Sequence, residues 1–126
     1  MKDSQKKRIF LVVLTSGPEV PGMVRAAFMF AALAASFYLE TVVYCVQDGA
    51  RAVVKEVADS EVVMPGRPSM SSRMREAIDA GVRIEVCSET AKGLDISQAD
   101  LIPEATIAGG AKLIDYTLVC QGMLTF

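Results

Sequence analysis

The chain has 126 residues, 52% hydrophobic and 22% charged, which suits one folded domain and argues against two domains or a disordered segment. Its 13 basic and 15 acidic side chains leave a net charge of −2, without the cationic excess of a nucleic-acid binder. There is no histidine and no tryptophan, so Ser-His-Asp and Cys-His pairs, His-ligated zinc and imidazole acid–base chemistry are excluded.

Residues 1–7 read as a flexible basic tail. The apolar run behind them is too short for a signal peptide, and Thr15-Ser16-Gly17-Pro18-Glu19 stands where a small-residue cleavage site belongs. Ile9 to Leu14 (IFLVVL) is continuously apolar, as in a strand covered on both faces of a parallel sheet. A turn, Ser16 to Gly22, leads to Met23–Leu39, rich in Ala, Met, Leu and Phe and predicted as a buried helix. Its longest apolar stretch, Ala26 to Leu39, is shorter than the roughly 20 residues a membrane span needs. It also lacks the strongly charged face of an interfacial helix. Thr41 to Val46 (TVVYCV) predicts a second strand, and Ala50 to Ala58 a short amphipathic helix.

The pattern then breaks at Met64-Pro65-Gly66-Arg67-Pro68-Ser69-Met70, a loop that is either a lid over the strand ends or a surface crossing. Ser71 or Ser72 caps a helix to Ala80, with Gly81 at its end. Val82 to Cys87 alternates as a third strand, and Ser88 to Gly93 is a helical turn closed by glycine. Ile96 to Pro103 is mixed, Ala105 to Ala108 a brief strand, Ala111 to about Gln121 a helix and Met123 to Phe126 a last strand. This order predicts one α/β domain over 1–126, a three-layer α/β/α sandwich on a mostly parallel five-stranded sheet.

Ligands of open α/β sheets gather at the carboxyl ends of the strands, here Thr15-Ser16-Gly17, Gln47-Asp48 and Cys87-Ser88. Among these only Cys87 supplies a nucleophile. At a strand end before a helix, its sulfur lies near free backbone N–H groups that favour thiolate over thiol. The competing reading is a small core hydrophobe, which is also the reading of Cys45 and Cys120. Lys92 adds positive charge near Cys87, while Glu85 and Glu89 oppose it. Wide spacing removes any CxxC site, and three scattered thiols fit a reducing cytosol. The Gly17–Gly22 turn has P-loop glycine spacing but Met23 where the phosphate-binding lysine belongs. It either cradles an anion or simply joins strand to helix.

The stretch Gly81-Val82-Arg83-Ile84-Glu85-Val86-Cys87-Ser88-Glu89-Thr90-Ala91-Lys92-Gly93-Leu94 resembles the DsrE/DsrF-like sulfur-relay proteins, in which a strand ends in cysteine before a short glycine-closed helix. Met23–Gly49, Pro65–Met70 and Ala105–Phe126 are similar to the rest of that pattern. The resemblance implies a flavodoxin-like subunit of the cytoplasm that forms homotrimers or hexamers and carries no cofactor or metal. It further implies that Cys87 takes sulfane sulfur as a persulfide from a donor protein and relays it to an acceptor. Ser88 and the following amides would hold the terminal sulfur, with Ser16 and Gly17 lining the same pocket. The alternative is a non-catalytic oligomeric module that binds a partner protein or a small anion. Neither reading involves nucleic acid or a membrane.

Overall fold

The structure, a computed structural model, describes residues 8–126, so the basic tail lies outside the described residues. Five strands, β1 (Ile9–Leu14), β2 (Glu40–Cys45), β3 (Arg83–Cys87), β4 (Ala105–Ala108) and β5 (Gly122–Thr125), form one sheet in the order β4-β3-β2-β1-β5. Every pairing is parallel, with Leu14 beside Cys45, Cys45 beside Val86 and Cys87 beside Ala108. The sheet is thus wholly parallel, and each strand needs a crossover helix.

Three crossovers step one way across the sheet and the last returns past β1. Right-handed connections therefore send the last helix to the opposite face. On the first face, α1 (Pro21–Ala35) and α3 (Met70–Asp79) bury Val24, Ala27, Phe28, Met74 and Ala77 against Val12, Val43, Ile84 and Val86. On the second, α5 (Gly110–Val119) lays Tyr116 over Leu11, Val42 and Tyr44. One parity of each strand serves each face, as two-sided burial requires.

The helix predicted over 23–39 starts earlier, at Pro21, which suits a first turn because its missing N–H has no partner there anyway. It ends at Ala35, where the Ser36 hydroxyl donates to the Leu33 carbonyl and Tyr38 turns to φ 62°. Nor is it buried all round: Phe30 and Leu33 are exposed beyond a stripe of small residues. The helix predicted over 50–58 is divided into a 3₁₀ segment, Gln47–Val53, and α2 (Lys55–Asp59). Val54 between them is extended and bridges Leu101 in antiparallel fashion, a contact no local pattern reveals.

α3 is capped by Ser69, whose hydroxyl accepts the Ser72 N–H at 2.9 Å, not by Ser71 or Ser72. Glu61 adds its carboxylate to the Met70 and Ser71 N–H groups, so the end of the helix is held from the exposed 61–69 segment. No helix among the described residues is long and apolar enough to cross a membrane.

Candidate functional site

β3 delivers Cys87 to the carboxyl edge of the sheet, and α4 (Ser88–Gly93) begins with the next residue. Strand parity turns Cys87 and Glu85 to the α5 face, with Ile84 and Val86 on the other. Cys87 is the N-cap of α4, at φ −59° and ψ 126°, the position from which a side chain meets the unpaired amides of a first helical turn. A neutral sulfur closes no cap hydrogen bond here. A thiolate is stabilised, however, by the N–H groups of Thr90 and Glu89 and by the hydroxyls of Thr90 and Tyr44. Partial burial pushes the thiol up, but those donors together outweigh it and bring Cys87 below the ordinary thiol range.

Both hydroxyls are held in place by other bonds. Thr90, nearly buried, accepts the Gln47 N–H at 3.0 Å on Oγ1, which leaves its own proton free for the sulfur. Tyr44 is fully buried on β2; beside a neutral thiol its one proton goes to the carbonyls of Gly109 at 2.8 Å and Ala108 at 3.1 Å, and it turns from them to the sulfur when Cys87 ionises. Burial, then the negative charge of a Cys87 thiolate, raises the Tyr44 phenol well above its usual range, so it stays a donor. Gly109 and Gly110 have open space where a Cβ would stand, and they form the far lip of the corner.

Glu85 does not act on the sulfur as a bare charge. It is 3% exposed, receives the Tyr116 hydroxyl at 2.8 Å and meets Lys112 Nζ at 3.0 Å. Lys92 and Glu89 are both exposed.

The structure sets Ser88 beside Cys87, partly exposed. Ser16 and Gly17 follow β1, with β2 between them and β3, so they stand about 10 Å across the sheet. Gly17 is buried there against an ion pair: a Cβ on it would lie 2.7 Å from Glu19 Oε1 and 2.9 Å from Arg51 Nη1. The other thiols differ in kind. Cys45 is fully buried, and burial pushes its pKa up to about 12. Cys120 follows α5 at the opposite end of the sheet, with its sulfur 3.7 Å from the Thr117 carbonyl, an acceptor that does nothing for a thiolate.

Sequence reasoning missed Tyr44 and Thr90. Thr90 carried a local signal, because it stands three residues after a strand-ending N-cap, the spacing of a capping box. Tyr44 carried none, since only the sheet order puts β2 beside β3.

The model of the DsrE/DsrF-like family matches residues 8–126. The uncharacterized protein MJ0989 of Methanocaldococcus jannaschii is 26% identical over 117 residues, which cover 93% of this chain and 98% of that protein. MJ0760 of the same organism is 28% identical over 105 residues, 83% of this chain but only 38% of that longer protein. Among solved structures, the ychN protein from E. coli superposes with a TM-score of 0.72 at 18% identity, covering 96% of this chain and all of its own. MTH1491 from Methanobacterium thermoautotrophicum, a protein of unknown function, gives 0.67 at 13% identity, covering 95% of this chain and all of its own. At such identities the two structures speak for the fold alone.

Proposed function

The chain belongs to the DsrE/DsrF-like family, and from that premise we propose that it is a sulfur carrier with Cys87 as the persulfide-bearing residue. The Cys87 thiolate attacks the outer sulfur of a donor persulfide; the new S–S bond forms as the old one breaks, and the donor leaves as a thiolate. An acceptor thiolate then attacks the outer sulfur on Cys87, which departs as thiolate. Each step is a thiol–disulfide type exchange without net redox change, and a low thiol pKa serves Cys87 as nucleophile and as leaving group. The Glu89 and Thr90 amides, with Ser88 at the entrance, hold the charged outer sulfur.

One observation carries this reading: Cys87 is partly accessible and surrounded by N–H and O–H donors, whereas Cys45 is sealed in the core. The three thiols are free, in keeping with a cytoplasmic protein whose partners are thiol donors and acceptors. A homotrimer or homohexamer also fits, because α5 buries only Tyr116 of its ten residues and leaves Ile114, Leu118 and Val119 exposed, on the face of the sheet to which the exposed Met123 of β5 also points.

The experiment is intact-mass spectrometry after incubation with polysulfide, on the wild type and on Cys45→Ser, Cys87→Ser and Cys120→Ser. A gain of one sulfur that disappears only in Cys87→Ser is expected. Equal loading of all three variants removes Cys87 from the role.

A further inference from the structure

The exchange steps proposed for Cys87 use neither the Ser16–Gly22 turn nor the 60–70 stretch, and these two segments meet on the α1 face of the sheet. Between them lies a groove of about 380 Å³, walled by Pro18 and Pro21 on one side and by Val62 and Met64 on the other. A second hollow of about 290 Å³ runs on along α1. Arg25 of α1 and Arg67 of the 60–70 stretch line both spaces, and Arg73 of α3 reaches the second.

The charges of this groove do not balance. Its two carboxylates are already engaged: Glu19 is paired with Arg51, and Glu61 accepts the Met70 N–H at 2.7 Å and the Ser71 N–H at 3.2 Å. Arg73 is paired with Glu76 at 2.9 Å. Arg25 and Arg67 have no ion pair among the described residues, where the salt bridges of arginine involve Arg51, Arg73, Arg75 and Arg83. Two permanently charged guanidinium groups from different elements therefore converge on one space with neither of its carboxylates paired to them: Glu19 is taken by Arg51, and Glu61 is turned to backbone amides. The apolar wall is equally unmatched, since Val62 is 83% exposed and Met64 59% exposed.

A ligand that satisfies both halves has a compact doubly negative end and an apolar body. A guanidinium fork binds phosphate oxygens in pairs, and a phosphate monoester carries about −1.5 to −2 charges at neutral pH. We propose that this groove binds a phosphate monoester with an apolar body, the phosphate between Arg25 and Arg67 and the body against Pro18, Pro21 and Met64. The site lies across the sheet from the face that carries Cys87, so it is independent of the sulfur-carrier reading.

Equilibrium dialysis with phenyl phosphate, inorganic phosphate and phenol tests it on the full chain. Phenyl phosphate is expected to bind more tightly than either fragment, and Arg25→Gln and Arg67→Gln each to weaken it about tenfold or more, as the loss of a charge-assisted bidentate contact. Arg75→Gln, which removes the partner of Glu104 outside the groove, and Cys87→Ser are expected to leave binding unchanged. Arg67→Lys, which keeps the charge without the fork, falls between wild type and Arg67→Gln. No binding of phenyl phosphate at millimolar concentration, or equal affinity in wild type and Arg67→Gln, overturns the proposal. Inorganic phosphate binding as tightly as phenyl phosphate overturns the apolar half of it.

Discussion

Replacing Thr90 by valine keeps the shape of the side chain and removes one hydroxyl. Two groups lose their partner: a Cys87 thiolate loses a donor, and the Gln47 N–H loses the acceptor it has at 3.0 Å. A hydrogen bond to a charged group contributes about 1.5–3 kcal/mol, and one pKa unit corresponds to about 1.4 kcal/mol. Cys87 is partly exposed, so the lower end applies and its pKa should rise by about one unit. Iodoacetamide alkylation followed against pH reads this directly, with Cys45 sealed and Cys120 replaced by serine. The wild-type midpoint is expected below that of an ordinary thiol, and that of Thr90→Val about one unit higher. Well below both midpoints the thiolate fraction falls about tenfold. The more basic thiolate is intrinsically about threefold more reactive, so the observed rate should fall about three- to fourfold. The orphaned Gln47 amide should cost about 1–3 kcal/mol of stability in urea. Thr90→Ser keeps the hydroxyl and should restore both quantities. A midpoint that stays at the wild-type value in Thr90→Val refutes the claim that this hydroxyl reaches the sulfur.

Four further outcomes follow from the packing and the buried groups. A Cβ on Gly49 would stand 2.0 Å from the Leu14 carbonyl oxygen, so Gly49→Ala must push the 3₁₀ segment off the end of β1; a loss of about 3 kcal/mol or more in urea unfolding is expected. Gly93→Ala, with nothing within 4 Å, should change stability by less than about 1 kcal/mol in the same assay. Tyr116→Phe takes a donor from the buried Glu85 carboxylate and should cost about 1.5–3 kcal/mol, measured by the same denaturation. The folded-state pKa of Cys45, about 12, lies above that of an unfolded thiol, near 8.5, so the unfolded chain releases this proton first. Stability should therefore fall above pH 8.5, by about 1.4 kcal/mol per unit from this residue, and this part of the slope should vanish in Cys45→Val. Denaturation at closely spaced pH values from about 8 to about 9.5, short of the tyrosine midpoint near 10 in the unfolded chain, measures it.

What the sequence disclosed and what it withheld divide by the range of the interaction. IFLVVL is legible because a parallel strand covered on both faces must be apolar at consecutive positions, and the run ending at Cys87 because its residues alternate with the period of a strand. The passage from strand to helix at Cys87-Ser88 is equally local, and with it the position of the reactive sulfur. The break at Val54 depends on Leu101, nearly fifty residues away, and periodicity over 50–58 cannot register it. Ser69 rather than its neighbours caps α3 because Glu61 already occupies the Met70 and Ser71 amides. Tyr44 reads as one more apolar strand residue until β2 lies against β3 and its hydroxyl meets the β4–α5 turn. Ser16 and Gly17, like Cys87, stand at the carboxyl end of a strand, and local pattern alone groups them with it. The order of the strands, which no local pattern shows, keeps them apart.

The return of the chain past β1 has a consequence in time. β1 occupies an interior place in the finished sheet, yet on one side its neighbour is β5, the last of the five strands to leave the ribosome. The pair is closed by Thr15, whose N–H and hydroxyl both donate to the Phe126 carbonyl, 111 positions along the chain. While β1 to β4 assemble, IFLVVL therefore presents an unpaired and strongly apolar edge, the kind of template on which partly made chains join strand to strand. Phe126, stacked on Phe30 at 5.8 Å, then seats β5 against α1 as it arrives. The four-residue β5 is short, but its arrival turns the most adhesive segment of the nascent chain into the interior of the sheet.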